Sequence, residues 1–448
     1  MGTPSAFLRC AAGAALGLVI SCAPDIATDD DMPELLPFDP AAVPAQIPQP
    51  THLVIDPATG LVSFAAVGVQ VPADCATAST MSQAQCEFYQ YLEQLDGFPT
   101  DLEATVPASA APNLASLTAP HNLVAVDTSS GQLVTDLSVR WDAATKQIVF
   151  VPKSGWEIGR TYHLGVRGYD DGIRSEQGKR FVSSVPYLLF KQTESLTCGA
   201  TTAADLRSDC PFAALLAGPG ISQEQLFRDL SDLEAIRVSY TRDLDLWGVL
   251  DSKGHLPKEQ VAAAWSFPTH SSSVIELNPT LGKLPKVTSP QTIELQVKGP
   301  IDVDSLSAWA LGGAGSVFLL DLTELEKMDL AKGVPAFAIE VEGSKVTLRT
   351  TAAMTDGHLM AILVTKGATG GGRPLAAAPM TVLLRGRGKL LDDAGRSTVE
   401  GVSDADASQL EPGRTDLASL LDDQLFAQLT KLKREDIVYV YAFTFPNP

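Results

Sequence analysis

Leu256-Pro257-Lys258-Glu259-Gln260-Val261 is answered near the end of the chain by Leu432-Lys433-Arg434-Glu435-Asp436-Ile437. Each phrase runs into an apolar strand, residues 262–267 and 438–443. Within them Trp265 stands against Tyr441 and Phe267 against Phe443. The match extends upstream in the same order. Leu123-Val124-Ala125-Val126-Asp127 answers Val317-Phe318-Leu319-Leu320-Asp321, and Gln147-Ile148-Val149-Phe150 answers Lys345-Val346-Thr347-Leu348. Tyr162-His163-Leu164-Gly165-Val166 answers Leu359-Met360-Ala361-Ile362-Leu363. Pro186-Tyr187-Leu188-Leu189-Phe190-Lys191 answers the stretch from Pro379-Met380 to Leu384-Arg385. Self-similarity at a period of about 175 to 200 residues predicts two copies of one unit.

Most of each copy alternates with the period of a strand. Tyr162, Leu164 and Val166 share one face, Ile293, Leu295 and Val297 another, and Gly and Pro punctuate the runs. Short strands at this spacing predict β-sandwiches. Each copy also carries a helix. Ser222-Gln223-Glu224-Gln225 reads as a capping box, followed by Leu226, Leu230, Leu233 and Ile236 at helical spacing. In the second copy Leu417, Leu421, Leu425 and Leu429 recur every fourth residue. Both stripes are expected to pack on their own sandwich. The expected fold is therefore mainly β: two Ig-like β-sandwich units, each with a helical insertion before its last strand. Unit 1 spans 51–270 with its insertion at about 196–258, and unit 2 spans 271–448 with a helical segment at about 415–433.

The N-terminus sets the expected compartment. Arg9 precedes a short apolar stretch that closes on Val19-Ile20-Ser21-Cys22. This plan is that of a secretory signal, too short to span a bilayer. The closing run resembles a bacterial lipobox, so residues 1–21 are read as a lipoprotein signal peptide and Cys22 as the lipidated residue. Ala23, where Asp would favour inner-membrane retention, points to an outer membrane lipoprotein of the bacterial cell envelope, periplasmic or surface-exposed. Residues 22–50, with Asp29, Asp30, Asp31 and five prolines from Pro37 to Pro50, read as an acidic, Pro-rich tether. Beyond Cys10 and Cys22, four cysteines remain. Their spacing makes two local disulfides, Cys75–Cys86 and Cys198–Cys210, the simplest of three connectivities.

The formal net charge of −20 opposes nucleic acid as a partner. The six histidines, His52, His121, His163, His255, His270 and His358, show no metal-ligand spacing. Asp302 and Asp304, and Asp170-Asp171-Gly172, read as turn residues; neither fits the pattern of a calcium loop. Gly370-Gly371-Gly372-Arg373 has no following helix or Lys-Ser/Thr and reads as a hairpin loop, not a phosphate cradle. No cofactor, metal or catalytic residue is assigned.

Gly159-Arg160-Thr161-Tyr162-His163-Leu164-Gly165-Val166, followed by Gly172-Ile173 and Gly178, resembles the late strands of surface-layer-type bacterial Ig-like domains. Leu95-Asp96-Gly97-Phe98-Pro99-Thr100 and the strand ending at Trp265-Ser266-Phe267 are similar to the non-catalytic N-terminal module of bacterial lipoprotein lipases. The resemblance implies that Tyr162 is a structural tyrosine corner, with Leu359 departing from it in the second copy. His163 beside it is expected in solvent. Lipase activity is not implied, since no Gly-x-Ser-x-Gly elbow is present. The function expected is a non-catalytic envelope lipoprotein: a surface scaffold, adhesion or binding module, held to the membrane by its lipid and meeting an envelope protein, glycan or lipid. The alternative is an accessory subunit or remnant of a surface lipase system.

Overall fold

The computed structural model describes residues 32–445, apart from residues 41, 43, 44, 280 and 312. The signal peptide and Cys22 lie outside the described residues. The fold is mainly β, in several small sheets with a substantial helical share. The chain divides into two compact units. Unit 1 holds the described residues up to Leu53, with Glu103–Lys153 and Thr161–Phe267. Unit 2 holds Val54–Leu102, Ser154–Arg160 and the described residues from Pro268 onward.

Unit 1 contains β1 (Glu34–Leu36), β2 (Ala104–Pro107), β3 (Leu123–Asp127), β4 (Gln132–Leu133), β5 (Leu137–Asp142), β6 (Gln147–Pro152), β7 (Thr161–Arg167), β8 (Phe181–Ser183) and β9 (Val261–Pro268). One sheet has the order β2-β6-β5 and a second β4-β3-β7-β9; β1 pairs with β8 alone. In unit 2, β10 (Val274–Ile275), β11 (Lys286–Ser289), β12 (Thr292–Lys298), β14 (Phe337–Glu342) and β15 (Lys345–Thr350) form the sheet β10-β12-β15-β14, with β11 beside β12. There β13 (Val317–Asp321), β16 (Leu359–Thr365) and β19 (Ile437–Thr444) form a second sheet, and β17 (Thr369–Gly370) pairs with β18 (Arg373–Pro374). The order β2-β6-β5 thus recurs as β12-β15-β14, and β3-β7-β9 as β13-β16-β19. The strands β3, β6, β7, β13 and β16 are buried on both faces. The edge strands β5 and β14 alternate between partly covered and exposed residues, as a half-solvated antiparallel edge requires.

The repeat reaches individual side chains. In unit 1, the helix Val185–Phe190 ends at Lys191, whose Nζ donates to the carbonyl of Val261, the first residue of the last strand, and sits 5.5 Å from the Tyr169 ring centroid. In unit 2, the helix Pro379–Arg385 ends in Arg385, whose Nη1 donates to the carbonyl of Ile437, again the first residue of the last strand. Its guanidinium lies 5.8 Å from the Tyr91 ring centroid. A second bracket is also duplicated. Glu234 accepts from Leu196 N at 2.9 Å and pairs with Arg237 at 2.7 Å, and Arg237 donates to Gln192 O. Glu411 accepts from Leu390 N at 2.8 Å and pairs with Arg414 at 2.6 Å, and Arg414 donates to Arg387 O. Both arginines are buried, and each is fully engaged, as a buried cation must be.

Three expectations are revised. Residues 34–50 are not a free tether: Glu34, Leu35 and Leu36 pair in parallel with Phe181, Val182 and Ser183, Gln49 bridges Thr105, and Leu36, Phe38 and Ile47 are buried. Phe38 packs edge-on against Tyr187 and Phe190. A few apolar residues among acids and prolines suffice, since each buried side chain of this size contributes roughly 1.5–3 kcal/mol. His163 is not solvated; it is 2 % exposed. The helix Leu246–Asp251 covers that face of β7, so closely that a Cβ on Gly165 would lie 2.5 Å from Leu256 Cδ2 and 3.2 Å from Leu250 Cδ1. The first copy's helix, Gln223–Val238, does begin at Ser222, whose side chain accepts from Gln225 N. Its stripe, however, packs on Leu189, Leu196, Leu206 and Phe212 of the short helices and the disulfide loop, not on a sheet. In unit 2 the helical segment is two helices, Asp404–Leu421 and Gln424–Thr430. Leu417 and Phe426 there join the sheet residues Phe318, Leu320, Leu363 and Val440 in one core.

Candidate functional site

Disulfides join Cys75 to Cys86 and Cys198 to Cys210. Tyr162 is buried on β7 with its ring 5.9 Å from that of Phe267. Asp302 accepts from Thr369 Oγ1 at 2.7 Å and from the backbone N–H groups of Gly371 and Gly372, so its carboxylate ties down the β17–β18 hairpin. Those bonds hold its pKa below the ordinary carboxylate value, the Thr369 bond most strongly. Asp170 and Asp171 lie in a single 3-10 turn, Tyr169–Asp171, that follows the close packing of Gly168 against Phe181. Among the described residues, no group of three or more His, Cys, Asp or Glu is placed to hold a metal.

Convergent polar groups meet a cavity in unit 2. The recess, with an empty volume of about 350 Å³ including its open mouth, is lined by Thr100, Asp101, His270, Glu276, Asn278 and Lys298, with Val274, Leu277, Leu281 and Pro379 around them. Five stretches of chain line it: 99–101, 154–155, 270–283, Lys298 on β12, and 377–379. The phrase 95–100 is held against residues 268–271: Phe98 bridges Thr269, and a Cβ on Gly97 would fall 2.5 Å from the Thr269 carbonyl carbon. Asp96 accepts from Ser271 N at 2.8 Å. Segment 154–156 turns at Gly155, which has φ +74° and where a Cβ would sit 3.0 Å from Thr100 O. That turn offers the Ser154 and Trp156 carbonyls to Lys298 Nζ, at 3.0 and 2.8 Å. β10 and its continuation to Asn278 supply Glu276 and Asn278.

The titratable groups of this recess are displaced from their usual states. Burial pushes the Asp101 carboxyl up to about 6, against the Asn278 amide that donates to it at 3.3 Å and the more distant Lys298 ammonium. Burial pushes His270 down to about 4, against the pull of Asp96, so its imidazole is neutral near pH 7. Its Nδ1 has no hydrogen-bond partner. Burial also lowers Lys298, partly offset by Glu157 at 3.8 Å. Lys283 pairs with Glu276 at 3.4 Å. Perturbed groups in a cleft are the physical signature of a binding site, although structural networks produce it as well.

None of these recess residues was singled out as a site residue from the sequence. Asp101, His270, Glu276, Asn278 and Lys298 are scattered, and no local spacing joins them. The duplicated Glu-x-x-Arg brackets were also missed, but they carried a signal: Glu234-Ala235-Ile236-Arg237 and Glu411-Pro412-Gly413-Arg414 fall in the same order between the matched phrases of the repeat.

No family model and no curated protein matches the sequence. Among solved structures, the N-terminal part of the bacterial S-layer protein SbsC is similar at a TM-score of 0.17 and 11 % identity, over 34 % of this chain and 30 % of that one. A likeness this slight carries neither fold nor function to this chain, and none of these comparisons links it to lipases. Disulfides persist in an oxidising compartment. No helix of the described residues is long and apolar enough to cross a membrane.

Proposed function

We propose that the chain is a non-catalytic lipoprotein of the bacterial cell envelope, anchored through Cys22, whose two Ig-like units serve as a surface scaffold or binding module. One observation carries this reading: several buried or partly buried charged groups are spent on architecture, and in matched fashion. Lys191 and Arg385, Glu234 with Arg237 and Glu411 with Arg414 each close the same joint in their own unit. Lys191 also contacts Ser183 Oγ at 3.3 Å, a pairing that elsewhere activates a serine. Here Ser183 Oγ donates to Val261 O, and the second copy performs the same closure with an arginine and no serine. The Ser183–Lys191 contact is therefore read as part of the joint.

The test uses the mature chain. It is expected to show no hydrolysis of p-nitrophenyl esters or amide substrates above a heat-denatured control, and Cys22→Ser is expected to abolish palmitate incorporation in cells. Turnover that disappears in Ser183→Ala would defeat the non-catalytic reading. Palmitate labelling that survives Cys22→Ser would defeat the anchor.

A further inference from the structure

We infer that the recess of unit 2 is a subsite for a primary ammonium group on a short aliphatic stem, as on a free alkylamine or the lysine side chain of a partner polypeptide. The inference deepens the binding-module reading and rests on it.

Asp101 is the centre of the argument. A carboxylate offers about four acceptor positions. Asp101 receives one side-chain donor, Asn278 Nδ2, at a long 3.3 Å, and joins no ion pair among the described residues. The cations nearby have partners of their own: Lys298 Nζ is held by the Ser154 and Trp156 carbonyls, and Lys283 by Glu276. A largely desolvated carboxylate without a paired cation is a costly state that protonation or an incoming cation relieves. His270 supplies an independent indication. It lines the same recess, is 1 % exposed, and its Nδ1 has no hydrogen-bond partner. The recess admits a water-sized group, which is the size of an ammonium. An ammonium brings three donors to these acceptors. Among the lining residues, Val274, Leu277, Leu281 and Pro379 suit methylene groups. The net charge of −20 raises the local concentration of such cations.

The mature chain is titrated with n-butylamine, with N-acetyl-lysine methylamide and with n-butanol, which has the same stem and no charge. Binding is followed by NMR shifts at pH 7.5 and pH 5. At least one amine is expected to bind, butanol not, with affinity falling about tenfold or more in Asp101→Asn and as pH drops through 6. A stronger response to the lysine derivative points to a polypeptide, and a stronger response to butylamine to a free amine. His270→Gln is the second variant should Asp101→Asn lose its native melting profile; it is expected to weaken binding several-fold. Equal binding of butanol, amine affinity unchanged in both variants, or no amine binding overturns the subsite. Envelope attachment and absence of hydrolysis are read separately, so these results leave the scaffold reading standing or falling on its own tests.

Discussion

His163, buried, and His52, partly buried, lie within electrostatic reach of each other in unit 1, and both are held neutral near pH 7. Burial takes each imidazole from 6.5 down to about 4. His52 Nε2 lies 3.0 Å from Ser239 Oγ with its ring tilted over Tyr240, while His163 Nδ1 has no partner. The consequence for stability has a definite sign. Above pH 6.5 both states of the chain carry neutral imidazole and stability is full. As pH falls from 6.5 the unfolded chain takes up the proton first, so stability is lost until the folded state also titrates near 4. For His163 this amounts to something on the order of 3 kcal/mol across the window. His163→Phe removes the proton site. The difference in urea unfolding free energy between variant and parent is therefore expected to shift in favour of the variant as pH falls from 7 to 4.5. A pH-independent difference would show that His163 is not held neutral. The sequence pattern placed His163 in water because β7 alternates like a strand with one wet face. The covering helix, and Gly165 that lets it approach, come from segments that periodicity within the strand does not register.

Elements repeat more faithfully than residues do. The mainly β character and the ordered recurrence of strand phrases were legible from alternation and self-similarity, because side-chain period is a local property of the sequence; which strands pair was not. What each helix packs against was not legible. A leucine stripe specifies that a face is buried, but its partner depends on loops such as the one closed by Cys198 and Cys210. The recess was illegible for the same reason, since Asp101 and Lys298 line it together only after five separate stretches assemble. The N-terminal strand Glu34–Leu36 was obscured by averaging: acids and prolines set the composition while Leu36 and Phe38 do the docking. The duplicated cation-to-carbonyl joint gives a test at this scale. Arg385→Met strands the opening carbonyl of β19 and is expected to lower stability by about 1–3 kcal/mol in urea melts; Lys191→Met is expected to cost less, because Ser183 Oγ still donates to the Val261 carbonyl. Arg385→Lys is expected to restore part of the loss, because unit 1 makes the same joint with a lysine. It cannot restore all, because Arg385 Nη1 also serves the Arg434 and Glu435 carbonyls. An Arg385→Lys chain no more stable than Arg385→Met would break the equivalence of the two joints.

Across the whole molecule, 53 acidic residues face 33 lysines and arginines. The structure sharpens that imbalance at the surface. Arg167, Arg237, Arg414 and Arg434 are buried, each engaged with backbone carbonyls or a neighbouring side chain. Cations withdrawn into the fold are unavailable to anionic lipid, while carboxylates such as Asp209 and Glu342 stay exposed in water. The protein's own field therefore repels a negatively charged membrane, most strongly when the Debye length is long. Any attachment to such a surface has to come from apolar insertion, which the acyl chains proposed at Cys22 provide and salt does not weaken. The unlipidated Cys22→Ser chain is accordingly expected not to cosediment with phosphatidylglycerol vesicles at either 10 mM or 300 mM salt, values chosen to bracket about 30 Å and 6 Å of screening. The lipidated chain is expected to cosediment equally at both. Binding of the unlipidated chain that appears at low salt and vanishes at high salt would reveal a basic docking face, and would remove the reason for assigning membrane attachment to the lipid.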